Sequence, residues 1–346
     1  MMIVNPFWGG GAALSSPATW TFDSTKAGTA DTANYIALFH ETRNEFKDVA
    51  HGGQVGNSND FRFANDSGES VRDTWKIVKW NGTTGEIVAK VNVGTLTHST
   101  NLTRYVFWDM SSRGSFLGGS LGAIYDSNYK GVLGFGDATT LDLNDETSNA
   151  NNGTNHNTAV AAAGISGLGA ISFTFASSQY ITTANTINIG HVTEEFWIYV
   201  PANIGQTQGL MGICQGNGGG LNDKVLWMSD HGATADLDWY VFDGSGPTVS
   251  VSNSLSYGAW HQVVGTADGT TSRLYLDGVQ IGSIAAGNTY TGYGAPGWQI
   301  GGILHATNYG TFIMSEARLS DVARSPSQIL AQYNNYSSPS TFYTLS

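Results

Sequence analysis

The sequence predicts an all-β protein of two β-sandwich domains, and three observations carry that prediction. Glycine supplies 45 of 346 residues, against a usual share of about 7 %. Charged residues are 12 % and aromatic residues also 12 %, the reverse of the balance that keeps a chain disordered. Short runs with a side-chain period of two recur between turn residues, and no sustained helical apolar repeat competes with them. At 346 residues the chain is about twice the typical domain of roughly 150 residues, so two domains are expected.

Residues 1–30 are rich in Gly, Ala, Ser and Thr and carry Phe7, Trp8, Trp20 and Phe22. This composition reads as an N-terminal arm whose aromatics dock on this chain's own domains or on a neighbouring subunit, and Phe7, Trp8 and Trp20 are assigned to docking on a particle. Residues 31–125 form a first domain. Its strands are Tyr35–Phe39, Phe61–Phe63, Trp75–Trp80, Glu86–Val93 and Thr103–Trp108, with turn signals at Asn81-Gly82 and Gly94. Trp75, Ile77 and Lys79 alternate with Lys76, Val78 and Trp80, as half-buried strands do.

Residues 126–346 form the second domain. About a dozen short strands run from Gly131–Phe135 through Val192–Val200, Lys224–Ser229, Leu237–Phe242 and Trp260–Thr266 to Thr311–Leu319. That spacing indicates a two-sheet sandwich or jelly roll. Asp277-Gly278 between Arg273–Leu276 and Val279–Ile281 predicts a two-residue hairpin. Ser325-Pro-Ser-Gln328 places Ser at an N-cap, Pro at N1 and Gln at N3, so a short helix starts there and ends near Asn334.

Charge and cysteine content bound the function. The net charge is −12, with 11 basic and 12 acidic residues up to residue 130, and 4 basic and 15 acidic residues after it. An acidic second half argues against nucleic acid, which requires clustered Lys and Arg. A lone Cys214 in an apolar run excludes an intrachain disulfide and a multi-cysteine zinc site. No segment reaches the ~18 apolar residues of a membrane span. Met1–Leu14 lacks the basic and apolar regions of a signal peptide.

The second domain resembles the laminin-G-like, concanavalin A-like jelly-roll modules. The residues that carry the resemblance are Trp260-His-Gln-Val-Val264, Leu274-Tyr-Leu-Asp-Gly278, Gly282, Ile300-Gly301 and Ile313–Ser320. The upstream Asp145–Gly153 loop and Ala176–Ile181 match as well. The resemblance spans about 200 residues, a length that suits one such domain. The chain departs from the family pattern at Ser315-Glu316, where members often carry Asp-Glu. Asn59–Gly68 and the following Trp-containing strands resemble a poorly characterised bacterial and viral β domain that precedes such jelly rolls. The opening Met2–Phe7 is similar to the starts of some tailed-phage structural proteins.

The fold hosts lectins, adhesion modules and glycanases, so the site must be read separately. For glycan binding the candidates are Trp227, Trp239, Tyr290, Tyr293 and Trp298, weighed against a place in the sandwich core. For a hard cation, calcium being common among relatives, the candidates are Asp145, Asn151 and Asn152, weighed against a solvated acidic loop. Asp236 and Asp238 share a strand face but have no neighbouring Glu, a poor match to the glycanase carboxylate set. No Gly-x-Ser-x-Gly elbow is present. The expected function is a non-enzymatic virion-surface protein, a capsid decoration or tail component, displaying a glycan-binding jelly roll. Its partners would be other virion proteins, further copies of itself and host or environmental glycans. A calcium-dependent cell-surface lectin and a glycan hydrolase are the alternatives.

Overall fold

The computed structural model describes residues 16–108, 124–183, 185, 187–215, 222–241, 248–285, 296–303 and 308–346. The first strands are β1 (Ala18–Phe22), β2 (Ile36–Thr42), β3 (Arg62–Ala64), β4 (Thr74–Asn81), β5 (Glu86–Asn92) and β6 (Leu102–Phe107). Then come β7 (Tyr129–Leu133), β8 (Gly153–His156), β9 (Val160–Ala163), β10 (Gly169–Phe173), β11 (Tyr180–Thr183) and β12 (Val192–Tyr199). They are followed by β13 (Thr207–Gln215), β14 (Asn222–His231), β15 (Thr234–Val241), β16 (Thr248–Ser256), β17 (Trp260–Ala267) and β18 (Thr271–Leu276). The last are β19 (Val279–Ala285), β20 (Pro296–Ile300), β21 (Gly302–Ile303), β22 (Asn308–Tyr309), β23 (Phe312–Ser320) and β24 (Tyr343–Leu345). Helices α1 (Pro326–Ser337) and α2 (Pro339–Phe342) lie between β23 and β24.

The first sandwich packs a four-stranded sheet, β24-β1-β6-β3, on a three-stranded sheet, β2-β5-β4. Its core is aromatic: Trp20, Phe22, Phe39, Phe46, Phe61, Phe63, Trp75 and Trp108 are all buried. Trp20 lies at the centre, 5.1 Å from Phe39 and 5.3 Å from Tyr343 between ring centroids. This corrects the reading of Trp20 as an arm residue that docks on a particle. Ala18, Trp20 and Phe22 alternate inward along β1 while Thr19 and Thr21 face outward. β1 is therefore an inner strand, paired with β6 on one side and β24 on the other. Phe7 and Trp8 lie outside the described residues. The chain's last strand also belongs to this sheet, so residues 126–346 do not serve the jelly roll alone.

The second sandwich packs an eight-stranded sheet on a seven-stranded sheet. The first runs β19-β18-β17-β12-β23-β10-β9, with β7 also on β23; the second runs β16-β15-β14-β13-β20-β11-β8. One apolar core fills the space between them, drawing on Phe196, Ile198, Met211, Leu237, Trp239 and Trp298. The Asp277-Gly278 hairpin forms as predicted, with φ of 51° and 78° at its two central residues. Those positive values suit the primed turn that matches strand twist, and only Gly adopts the second without strain.

Strands β2 and β5 of the three-stranded sheet are buried on both faces along most of their length. Along β5, Ile87, Ala89 and Val91 join its own core, while Val88 and Lys90 point the other way, onto the jelly roll. Lys90 is fully buried. Its ammonium lies 2.8 Å from Glu146 and also contacts Glu316, both jelly-roll carboxylates. Lys76 of β4 reaches Glu146 at 2.7 Å, and the Tyr125 hydroxyl donates to it at 2.9 Å. On the jelly-roll side Arg318 contacts Glu316 at 2.9 Å and donates to Gln332 at 2.9 Å and to the Tyr336 hydroxyl at 2.6 Å. Glu316 has φ of 56° and occupies a bulge in β23. At the departure from the family pattern, the Ser315 hydroxyl donates to the Gly169 carbonyl at 2.7 Å.

Helix α1 begins where predicted, with the Ser325 hydroxyl accepting the Gln328 N–H, and runs three residues past Asn334. It closes the exposed edge of β2. Asn335 accepts the Leu38 N–H at 2.7 Å and donates to the Leu38 carbonyl at 3.0 Å. Gln332 donates to the Ile36 carbonyl at 3.2 Å, and the Tyr343 hydroxyl exchanges bonds with the His40 backbone. An open strand edge is thereby satisfied by side chains instead of another strand.

Two outcomes follow for stability. Lys90→Met leaves Glu146 and Glu316 facing each other with less positive charge, and is expected to destabilise by about 3–5 kcal/mol in urea unfolding. Asn335→Leu leaves two buried backbone groups of Leu38 unmet, at about 1–3 kcal/mol each. The pH dependence has a defined sign. Burial works to raise the Glu146 carboxyl, but Lys90 and Lys76 outweigh it and hold the group down to about 2. Its contribution is complete above the unfolded value near 4.5 and drains away as pH falls toward 2. Thermal midpoints recorded across that window should fall in the wild type and fall less steeply in Lys90→Met.

Candidate functional site

The outer face of the eight-stranded sheet is covered by the first sandwich and α1. Val264 and Tyr275 pack on Ile329, and Trp197 stacks on Tyr333 at 5.8 Å. The outer face of the seven-stranded sheet instead carries half-exposed and exposed side chains along β15 and β16, beside a small buried apolar cluster of Cys214 and Val225 on which Trp227 packs. Strand parity places them there. Ala235, Leu237, Trp239 and Val241 of β15 point into the core, so Thr234, Asp236, Asp238 and Tyr240 point outward.

Register then brings an aromatic pair beside polar groups. Trp227 of β14 stands opposite Asp238, and Val225 opposite Tyr240. The Trp227 and Tyr240 rings stack with centroids 5.8 Å apart and planes at 21°. Asp238 faces Ser250 of β16, whose hydroxyl donates to its carboxylate. Asp236 accepts the Asn253 N–H at 2.7 Å. Toward the other edge, His156 stacks on Tyr180 at 4.3 Å, and its Nε2 lies 2.9 Å from the Thr182 hydroxyl. Rings with hydroxyl, carboxylate and imidazole neighbours can stack on apolar sugar faces and bond their hydroxyls.

The structure separates the five aromatic candidates. Trp227 is half-buried on the open face. Trp239 and Trp298 are fully buried between the sheets, and the Trp239 indole donates to the Thr266 carbonyl at 3.1 Å. Neither can touch a sugar, because parity turns both inward. Tyr290 and Tyr293 lie outside the described residues.

Asp145, Asn151 and Asn152 do come together, as one hydrogen-bonded loop. Asp145 Oδ1 accepts the Val132 and Thr147 N–H groups, each at 2.9 Å. Its Oδ2 accepts the Thr147 hydroxyl and the Asn151 N–H, each at 2.8 Å. Asn152 Oδ1 accepts the Asp145 N–H at 2.9 Å. Four donors occupy the carboxylate that a cation would need. Among the described residues no three His, Cys, Asp or Glu side chains gather as a metal site.

One constellation escaped the sequence reading. The Ser256 hydroxyl lies 2.8 Å from His261 Nε2, and His261 Nδ1 lies 2.8 Å from Asp277 Oδ2. Only the spacing of the three residues could have hinted at it, and such spacings have no fixed pattern across folds. The connections are those of a nucleophilic triad, but the surroundings are those of a structural link. Asp277 Oδ1 also accepts the Gln262 N–H at 2.9 Å, which ties the hairpin turn to β17. The Gly258 N–H beyond Ser256 is committed to the Val200 carbonyl at 2.8 Å and cannot serve an oxyanion. A fluorophosphonate probe is therefore expected to leave Ser256 unlabelled by mass spectrometry, whereas His261→Ala should lower the thermal midpoint.

The family described as the Concanavalin A-like lectin/glucanases superfamily, of laminin G type, matches residues 175–330. No curated protein matches the chain at a significant level. Among solved structures, the binding domain of Paraclostridial Mosquitocidal Protein 1 is similar at 17 % identity and a TM-score of 0.47. That alignment covers 60 % of this chain and 52 % of the other, so the chain spans about half the length of that relative. Domain 4 of the GH43 extracellular arabinanase AbnA from Geobacillus stearothermophilus, in complex with arabinotriose, is similar at 18 % identity and a TM-score of 0.43. There the alignment covers 60 % of this chain and all of that domain. A native heptameric SAP-like pentraxin from Limulus polyphemus is similar over 44 % of this chain and 73 % of its own, at 18 % identity and a TM-score of 0.37.

Proposed function

We propose that the chain is a non-enzymatic glycan-recognition protein. The open face of the seven-stranded sheet holds the sugar, and the first sandwich is a rigid mount. The observation that carries this reading is the stacked Trp227–Tyr240 pair, half-buried beside Asp238 and Ser250 on the sheet face that the first sandwich leaves free. Trp227 packs one side on the buried Cys214 and Val225 and leaves the rest of its ring, with Tyr240, beside polar groups on an open face.

The non-enzymatic part rests on the carboxylates. Asp236 and Asp238 are half-exposed and receive donors from β16. Binding independent of calcium is favoured over the calcium-dependent lectin, since the Asp145 carboxylate is already taken up by four donors.

The finer assignment is display on a virion surface, as a head decoration or tail component. It is supported by the similarity of residues 2–7 to tailed-phage structural proteins and by the split between a nearly neutral first part and an acidic second part. Co-sedimentation of the protein with particles tests it, and absence from purified particles overturns it.

The glycan reading is tested on an array of immobilised glycans with the full chain, in calcium and in EDTA. Binding is expected in both buffers. Trp227→Ala should weaken it by about tenfold, the size of one stacking contact. No binding in either buffer, or binding unchanged by Trp227→Ala, overturns the assignment to this face.

A further inference from the structure

Lys90, Glu146 and Glu316 meet where β5, the loop before β8 and β23 converge, and all three are buried. The Lys90 ammonium lies 2.8 Å from Glu146 Oε2 and also contacts Glu316 Oε1. Gly134 closes one side. A Cβ there would lie 2.4 Å from Glu146 Oε1 and 2.9 Å from Lys90 Nζ, which leaves no room for a water between them. A lysine amine and a carboxyl group held in contact, out of water, are the two reactants of an amide bond.

The two carboxylates are held differently. Glu146 has both oxygens in hydrogen bonds. Oε1 accepts from Lys76 at 2.7 Å, and Oε2 accepts from Lys90 at 2.8 Å and from the Tyr125 hydroxyl at 2.9 Å. Flanked by two ammonium groups, it is an ionised base and a poor electrophile. Glu316 Oε1 touches the Lys90 ammonium but accepts no hydrogen bond. Its Oε2 accepts from Arg318 Nη2 at 2.9 Å and Nε at 3.3 Å. A guanidinium on one oxygen draws charge from the carboxyl carbon and stabilises the oxyanion formed when that carbon is attacked. The φ of 56° at Glu316, inside the β23 bulge, belongs to the same arrangement. Bulges re-aim side chains, and a non-glycine residue persists at such a φ only where its surroundings hold it.

We infer that Lys90 and Glu316 join as an isopeptide, a covalent clamp between the two sandwiches, with Glu146 as proton carrier and Arg318 as oxyanion donor. The ion pair described above is the folded state that precedes the bond. Glu146 takes a proton from the Lys90 ammonium, and the freed amine attacks Glu316 Cδ. Negative charge gathers on Oε2, against Arg318. Glu146 passes its proton to Oε1, a second amine proton follows by the same route, and Oε1 leaves as water. The Nζ–Cδ bond forms and the Cδ–Oε1 bond breaks, with no oxidant, reductant or net proton required. The product removes one positive and one negative charge from a dry interior, where each is costly. Lys76 with Glu146 and Arg318 with Glu195 remain as balanced pairs. The clamp is independent of the Trp227 face and stands if that face binds nothing.

Intact-mass spectrometry of the purified full chain tests the bond. The wild type is expected to be lighter than its sequence mass by one water. Its tryptic digest should contain Trp80–Arg104, uncut at Lys90, joined to Leu274–Arg318. Lys90→Arg keeps the positive charge but cannot form this amide, and should carry its full sequence mass. Glu146→Gln keeps the shape but loses the base, and should do the same. A wild type at full sequence mass overturns the inference, and that measurement stands whether or not a variant folds. So does a water loss that maps to another peptide, such as dehydration at Asp277-Gly278. A linked peptide pair that persists in Glu146→Gln overturns the role given to Glu146.

Discussion

A single buried ammonium group fixes how the two sandwiches meet. Lys90 is fully enclosed, and its partners Glu146 and Glu316 both belong to the jelly roll. A lysine so enclosed must be paired, since an isolated charge in a low-dielectric interior costs several kcal/mol. The pairing exists only when the three-stranded sheet lies on the eight-stranded one. Apolar packing alone would tolerate sliding, because dispersion and burial are non-directional. The carboxylates are directional, and Arg318 holds Glu316 from the jelly-roll side while Lys76 and Tyr125 hold Glu146 from the other. A difference between the two outer sheet faces is a consequence: one is committed to the interface, and the first sandwich leaves the other free.

The C-terminal segment completes that arrangement. Helix α1 presents Ile329 and Tyr333 to the jelly roll and Gln332 and Asn335 to the edge of β2. Beyond it, Tyr343 and its neighbours pair as β24 with β1. The chain therefore leaves the first sandwich after β6, builds the jelly roll, and returns to close the sheet it began. Local opening of one sandwich must disturb the other, because they share a buried ion network and helix α1 packs on both. The return also explains why the carboxyl-terminal residues are so polar yet so buried: Gln332 and Asn335 stand in for the backbone of a missing neighbouring strand.

Much of this was legible in the residues, and the misreadings have physical causes. The jelly-roll strands, the Asp277-Gly278 turn and the Ser325 cap follow from local patterns that tertiary structure does not override. β1 was hidden because its Ala-Thr-Trp-Thr-Phe alternation sits in a stretch whose Gly and Ser content suggests a loose arm. β2 and β5 look like core strands without revealing that they serve two cores: the Val88, Lys90 and Asn92 face of β5 reads as the solvent side of a half-buried strand, because a lysine there gives no sign that it is buried and paired. The Lys90 network could not be seen at all. The directly paired Lys90 and Glu316 lie 226 positions apart, and long-range pairing leaves no spacing signal. The Asp145 loop was recognised as a unit, but its oxygens face inward to N–H groups and are not open to a cation.

Parity separates the proposed recognition residues from the core. Trp227 pairs with Asp238, the immediate neighbour of Trp239. One step along a strand reverses the face, so Trp239 fills the sandwich while Tyr240 joins Trp227 in the open. A slip of one residue would bury two carboxylates and expose Leu237 and Trp239, at a cost no binding function could offset. The register that keeps the core dry is therefore the register that sets out the aromatic pair among Asp238, Ser250 and Asp236. Stability and recognition on this face are not competing demands, because alternate residues of the same strands meet them separately.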